Sequence, residues 1–568
     1  MTRRSRLSLF TLVAIAVLVG AAFSGGSPAA SSSTASTAAD RPSRVLVVLF
    51  DQMLSKYADE FDMPNFRMLR DSGTNFSNAY LGYMGSETVI AHNVLMSGQN
   101  PKHMGWVDEA YRDREGLLSA DTNQMWTTGE LTYPQFGTLI QDKGYPKLAD
   151  YLQDAQPDKK FIVVGEKGYA VDSAAAESAF DTSGADIAVR FGGRSPSTPA
   201  PGRDAACNAT LGGRYRAPDG VNVPTYIKDE VNDFCGRFYV NSSLTYGTST
   251  AFPSWIYPLD GNRFVPGTDP DHLGGDNWVA DAAMAMMENE DWSGMFVTMG
   301  GIDKAGHMWG ADSDVQSPPG SADYQTHVEF NAENADVQLG RMLAKLKALD
   351  MLEDTLVVLT ADHGATFGTQ YYGKTAPGAS TTSDTNWYYG PDSKPTVYNA
   401  PSPAIQPLVA TGNVAFSYQS TSIQTWLKNV SSPKRSEALK AMRRLPGVIA
   451  TYWRKGDRYV LNDTNPMTNA DKKWWQATAQ DIVDNMADVN GPDIVGLLAN
   501  EVSYGAYGDH GGASEPVQRV PMVFWSASRT NPNNTNATFR TPDVMPTILS
   551  ALGIQQTYPT DGKARALD

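Results

Sequence analysis

The sequence predicts an α/β fold, a mostly parallel sheet sandwiched by helices and interrupted by two large insertions. Three observations predict it. Apolar runs of strand length recur far apart, at Val45–Phe50, Met295–Met299 and Leu356–Thr360, and each stops at or shortly before an aspartate. Segments of helical spacing lie between them, so strand and helix alternate as a parallel sheet requires. Two long stretches, about 185–275 and 365–500, break that alternation.

The elements follow in chain order. Arg3, Arg4 and Arg6 precede an apolar run from Leu7 to Phe23, and small residues follow at Ala29 and Ala30. This is the pattern of a secretory signal peptide, residues 1–30, so the chain is expected to be secreted or held in the cell envelope. The run is also nearly long enough to span a bilayer, which leaves an uncleaved membrane anchor open. Residues 31–43, rich in Ser, Ala and Thr, read as a disordered tether before a catalytic domain of residues 44–560. Arg44–Phe50 is a strand, and Met63–Arg70 starts a helix that Gly73 ends. Thr88 opens an apolar-periodic helix; Lys147–Asp154 is a helix and Lys160–Val164 a strand.

The first insertion is rich in Gly, Pro, Asn and Asp and carries Cys207 and Cys235, the two cysteines of the chain. In an exported protein such a pair is most simply a disulfide. The rhythm resumes with a helix at Asp276–Glu288, a strand at Gly294–Met299, a long amphipathic helix at His327–Leu349 and a strand at Leu356–Thr360. The second insertion reads as irregular, with a low-complexity loop at Gly373–Ser393, a helix near Ser436–Arg444 and an aromatic segment at Lys472–Gln476. A strand at Pro521–Trp525 and a helix at Asp543–Leu552 close the core. The insertions are expected to form a cap over the site.

Charge narrows the partners. Lys and Arg number 46 against 62 Asp and Glu, a net charge of −16. That balance argues against a nucleic-acid-binding surface, which needs basic patches. A small anionic substrate remains compatible, because bound metal ions bring local positive charge. No segment suggests a partner protein.

The chemistry lies at the strand ends. Asp51, Asp303 and Asp362 follow predicted strands, where open α/β sheets bind their ligands. His307, His363 and His510 lie close by in sequence or in a fourth, Gly-rich loop. Three carboxylates and three imidazoles suit borderline divalent ions, zinc first, with manganese or iron open. Asp303 and His307 are expected on a glycine-containing loop, four residues apart. Thr88 places its hydroxyl among the free N–H groups of a helix N-terminus, an anion site. A metal-bound hydroxyl loses its proton near neutral pH and becomes a nucleophile; alone, Thr88 would be an ordinary N-cap.

As a set, the runs Leu49–Asp51, Thr88 to Gly98, Gly301–His307, Thr360–Gly364 and Gly508–Gly511 resemble the alkaline phosphatase superfamily. The branch they resemble is the nucleotide pyrophosphatase/phosphodiesterase type with a threonine nucleophile. The resemblance covers roughly residues 44–180, 276–365 and 505–560. It implies an alkaline-phosphatase-like fold and two divalent ions. One would be held by Asp303, His307 and His510, the other by Asp51, Asp362 and His363, with Thr88 beside it as ligand and nucleophile. It implies a phosphothreonine intermediate and a small phosphorylated substrate.

Two departures bear on substrate. Counting along the loop after the nucleophile helix, Glu109 stands where the branch carries an asparagine that holds a phosphoryl oxygen, unless a gap shifts the match. Lys167 retains the lysine of a Lys-x-Arg pair, but Tyr169 replaces its arginine. Both changes disfavour a dianion, so the expectation leans to phosphodiesters or nucleotide pyrophosphates. The alternatives are a phosphate monoesterase of the same superfamily and, in another class, a non-catalytic metal-binding exported protein. A sulfatase or phosphonate hydrolase is disfavoured, because no Cys/Ser-x-Pro-x-Arg run surrounds Thr88. His92 reads as a packing residue, and Trp474 and Trp475 as insertion core.

Overall fold

The computed structural model describes residues 41–122, 124–127, 131, 133–165, 167–178, 184–190, 224, 273–309, 311, 327–366, 370–371, 387–389, 403–505, 508–528 and 532–567. They belong to one compact unit that begins at Asp40. The expected signal peptide, most of the tether, most of the first insertion and the Cys207–Cys235 pair lie outside the described residues. Among the described residues no helix is long and apolar enough to cross a membrane.

Eight strands form the central sheet: β1 (Arg44–Phe50), β2 (Thr74–Tyr80), β3 (Lys160–Gly165), β4 (Ile187–Arg190), β5 (Trp292–Met299), β6 (Thr355–Thr360), β7 (Met522–Trp525) and β8 (Asn533–Arg540). Their order is β8-β2-β7-β6-β1-β5-β3-β4. Only β7 runs against its neighbours. This is the expected fold class. Val45–Phe50 is buried on both faces, as an unbroken apolar run between parallel neighbours should be. Each such side chain contributes about 1.5–3 kcal/mol on burial.

Register decides where the functional residues emerge. Leu49 lies opposite both Thr298 of β5 and Thr360 of β6. The three central strands therefore end level, and the segments bearing Asp51, Asp303 and Asp362 leave the sheet at one edge. Helices cover the sheet, among them α1 (Thr88–Ser97), α2 (Gly168–Ala175) and α3 (Gly301–Trp309).

Two expectations need correction. Asp303 and His307 lie on helix α3, not on a loop; Gly301 and Gly306 weaken its helical signature, but Asp276 accepts the N–H groups of Gly300 at 2.8 Å and Gly301 at 3.2 Å and holds its start. The second stretch is not irregular. It builds an antiparallel sheet of six strands, in the order Trp387–Tyr389, Val414–Gln419, Ser422–Leu427, Ile494–Leu498, Val448–Lys455 and Arg458–Thr464. Helices Ser432–Arg443 and Asn469–Asp484 bury Leu439, Met442, Ile482 and Val483 against it. The aromatic segment is part of the second helix. Trp474 is buried and its indole N–H donates to the carbonyl of Ala513 at 2.8 Å, just past His510.

Candidate metal centre and nucleophile

Helix α1 is buried along its whole length and starts at Thr88, with Glu87 at the N-cap. Thr88 Oγ1 lies 3.5 Å from His363 Nε2 and accepts from Lys167 Nζ at 3.3 Å. His92, one turn on, donates from Nδ1 to the Thr88 carbonyl at 2.6 Å and accepts from Thr298 Oγ1 at 2.8 Å. Burial pushes its pKa down to about 4, so His92 is a neutral tether between helix α1 and β5.

The sequence-selected ligands converge here. Asp303, His307 and His510 form one group and Asp51, Asp303 and His363 a second, with the donor atoms of each group within 4.8 Å of one another. His307 Nε2 is 3.1 Å from Asp303 Oδ1 and 3.1 Å from His510 Nε2. The His363 and His510 rings stack at 3.6 Å. Asp362 sits at the edge of the second group: its Oδ2 is 3.5 Å from His363 Nε2, while its Oδ1 accepts backbone N–H from Gln52 and His363. Asp303 thus bridges the two groups, a role that spacing alone does not reveal.

Lys167 closes the arrangement. Its ammonium lies 2.5 Å from Asp51 Oδ2 and 2.6 Å from Asp303 Oδ2, with all three side chains buried. Burial opposes its charge, but Asp303 and Asp51 override this and hold it well above the ordinary lysine value. Asp51 is driven the other way. Burial and the neighbouring Asp362 raise it well above the usual carboxylate range, and Lys167 offsets them only in part. Burial, then His363 and His307, hold His510 well below the usual histidine value, and burial also lowers His363. Neutral imidazoles beside carboxylates are metal-binding forms.

These residues fit divalent ions. Oδ1 of Asp51, Oδ2 of Asp362, and Nδ1 of His307 and His510 are buried without hydrogen-bond partners. Buried unsatisfied polar atoms cost about 1–3 kcal/mol each, more when charged. The carboxylate and imidazole donors match zinc chemistry. The ion pair with Lys167 reaches one oxygen of Asp51 and leaves the other free for a cation.

The expected substrate residues divide. Lys167 is at the centre. Glu109 touches the start of α1, where its Oε1 accepts the Val89 N–H at 3.3 Å. Burial raises its pKa. Tyr169 is half-buried and packs against the core; burial raises its hydroxyl, so it stays neutral. Behind Thr88 lies a carboxylate cluster that sequence reading missed. Burial and Asp108 raise Glu87 well above the usual range, and burial brings Asp108 to about 7. Tyr418 donates to Glu87, and Gln424 donates to Asp108 at 2.5 Å, both from the second sheet. The run Ser86-Glu87-Thr88 was the available signal, since an acid there is adjacent to any nucleophile at position 88.

A family model for type I phosphodiesterase / nucleotide pyrophosphatase matches residues 45–424. No curated protein matches the chain. Among solved structures, wild-type alkaline phosphatase PafA is similar at a TM-score of 0.55 and 14% identity, over 92% of this chain and 98% of that one. At that identity the likeness concerns the fold. Phosphonoacetate hydrolase from Sinorhizobium meliloti 1021 gives 0.48 and 13%, covering 91% and 96%. Human ectonucleotide pyrophosphatase / phosphodiesterase 5 gives 0.47 and 12%, covering 92% and 97%.

Proposed function

The chain belongs to the type I phosphodiesterase / nucleotide pyrophosphatase family and is a phosphoric ester hydrolase; from that premise we propose an exported, two-metal enzyme that works through a phosphothreonine at Thr88. The observation that carries this is the position of Thr88 Oγ1 at a helix N-terminus, in contact with His363 and Lys167 between two ligand groups that share Asp303.

Asp303, His307 and His510 would hold one ion, and Asp51 and His363, with Asp362 and Thr88 beside them, the other. Bound ions would polarise the phosphoryl oxygens and favour the ionised Thr88 hydroxyl. The chain's own groups supply the rest. The start of α1 would favour an incoming anion, with the Val89 N–H already donating to Glu109. Thr88 Oγ1 attacks phosphorus as the bond to the leaving oxygen breaks, and the leaving alcohol or phosphate takes a proton from solvent. Lys167 keeps a positive charge beside Thr88 Oγ1 as negative charge builds there. Water then cleaves the phosphothreonine and frees Thr88.

Glu109 and Tyr169 favour a phosphodiester or nucleotide pyrophosphate over a monoester dianion. PafA is named an alkaline phosphatase, and a buried ammonium beside the nucleophile would suit a dianion, so monoesterase activity is the second reading. Rates of the purified protein on aryl phosphate monoesters, aryl diesters and nucleotide pyrophosphates distinguish them. The mechanism has its own test. Thr88→Ala is expected to lose orders of magnitude in turnover and to yield no acid-stable phosphoprotein on quenching. Near-normal turnover by Thr88→Ala would sink it.

A further inference from the structure

Gln52 follows Asp51 directly and is fully buried, with a backbone φ of 68°, in the left-handed region that non-glycine residues enter only at a cost. Such a conformation persists only where the surroundings over-determine it. Here they do. The Gln52 N–H donates to Asp362 Oδ1 at 3.1 Å. Its carboxamide Nε2 donates to Asp303 Oδ1 at 2.9 Å and to the Gly508 carbonyl at 2.6 Å. One residue therefore grips a carboxylate beside one ligand group, the carboxylate shared by both, and the loop that carries His510.

The glycines around it answer to the same packing. A Cβ on Gly306 would run into Gln52 Oε1, and a Cβ on Gly508 into the Gly306 carbonyl. Gly306 sits inside helix α3, where glycine is unfavourable relative to alanine. Its place there is explained by the Gln52 carboxamide lying against the helix backbone. Residues 52, 306 and 508 thus pack where three chain segments carrying Asp51, Asp303 with His307, and His510 meet.

We infer that Gln52 is a positioning residue of the metal centre, which fixes the orientation of Asp303 and the spacing of the two ligand groups through its carboxamide and backbone N–H. This rests on the metal-binding reading of the site. The backbone requirement alone would be met better by glycine, so the side chain is retained for its contacts. Groups that hydrogen-bond to metal ligands typically change metal affinity by about 10- to 100-fold when removed.

The test uses the purified full chain, stripped of metal, with zinc affinity measured against a chromophoric chelator and the visible spectrum of the cobalt-loaded form. Gln52→Gly keeps the backbone conformation and removes the carboxamide. It is expected to weaken zinc binding about 10- to 100-fold and to alter the cobalt absorption bands, while the metal-free melting temperature does not fall. Gly306→Ala should weaken binding in the wild-type background, but much less when combined with Gln52→Gly, because the clashing group is then absent. Two-ion binding by the wild type with unchanged affinity and cobalt spectrum in Gln52→Gly would overturn the inference alone. A wild type that binds no divalent ion would overturn the reading of the site and the inference with it. A lower metal-free melting temperature with unchanged affinity would mark Gln52 as merely structural and also overturn it.

Discussion

Lys167→Met gives a sharp test of how the site is held together. The Lys167 ammonium lies 2.5 Å from Asp51 and 2.6 Å from Asp303, all of them buried. At an effective dielectric constant of about 20, each contact represents roughly 6 kcal/mol of attraction. Much of that offsets the desolvation of the charges, so the measurable cost is that of stranding the carboxylates, about 3–5 kcal/mol. Were the compact unit of about 530 residues to unfold in one step, an unfolding entropy near 2.1 cal/mol/K per residue would turn this into a fall in Tm of roughly 3–4 °C. The loss should appear in full only in the metal-free protein. With saturating zinc, the same carboxylates face divalent charge, and the difference between wild type and variant should shrink to about 1 kcal/mol or less. Thermal unfolding with a chelator and with excess zinc reads both values. Equal losses in the two conditions would refute the argument, because Lys167 and the ions would then not share Asp51 and Asp303.

Two further outcomes are expected. Burial raises the Asp108 pKa from 3.8 to about 7, so the folded protein binds a proton there that the unfolded chain has already lost. The resulting stabilisation is full below about pH 4 and is lost as pH rises through about 7; Asp108→Asn should flatten the fall in stability between pH 5 and 8, and an unchanged slope in denaturant titrations would contradict this. Tyr418→Phe removes the donor to Glu87 at the N-cap of α1. It should cost about 1–3 kcal/mol in urea unfolding, and a neutral result would show that the bond to the second sheet does not brace the nucleophile helix.

The centre of the fold and the ligand types were legible in the sequence for one physical reason. Strands flanked by parallel neighbours bury both faces, so β1, β5 and β6 stand out as apolar runs, and metal-binding side chains are conspicuous at their ends. Elements outside that regime were hidden. β8 reads Asn-Asn-Thr-Asn-Ala-Thr-Phe-Arg, an exposed edge strand with almost nothing to bury. The second sheet contains Ser417, Gln419, Gln424 and Thr425 in fully buried positions, so neither alternation nor an apolar run marks it. Some of its polar groups pair within the sheet, as where Ser417 Oγ donates to the Gln424 carbonyl at 3.1 Å and lies 3.1 Å from Thr425 Oγ1, while the Gln424 carboxamide reaches out to Asp108. Gln52 had no pattern at all. Its importance comes from a φ angle and from contacts 251 and 456 residues away, which no local periodicity encodes. The sharing of Asp303 between ligand groups was hidden for a related reason, since side-chain direction, not spacing, decides it.

Charge bears on the class of ester proposed for the site. Asp51, Asp303 and Asp362 would be drawn to the ions, but Glu109 is not in either ligand group; it stands at the start of α1, on the Val89 N–H that would otherwise face a phosphoryl oxygen. Tyr169 offers no compensating charge, since burial keeps its hydroxyl protonated. An ionised Glu109 about 4 Å from a second phosphoryl charge would oppose it by roughly 4 kcal/mol at an effective dielectric constant of 20. A diester spreads a single negative charge and carries an ester oxygen in place of the second, so it escapes most of this. Burial supplies the other half of the argument. Burial raises the Glu109 pKa and so works against its charge, while the hydrogen bond that it accepts from the Val89 N–H favours the ionised form. The neighbouring Glu87, itself raised by burial and Asp108, acts against burial, because its hydrogen bond to Glu109 lowers the Glu109 pKa. Under the proposed function, substrate preference would turn on the charge at Glu109 more than on the metal ligands, which different esters would use alike.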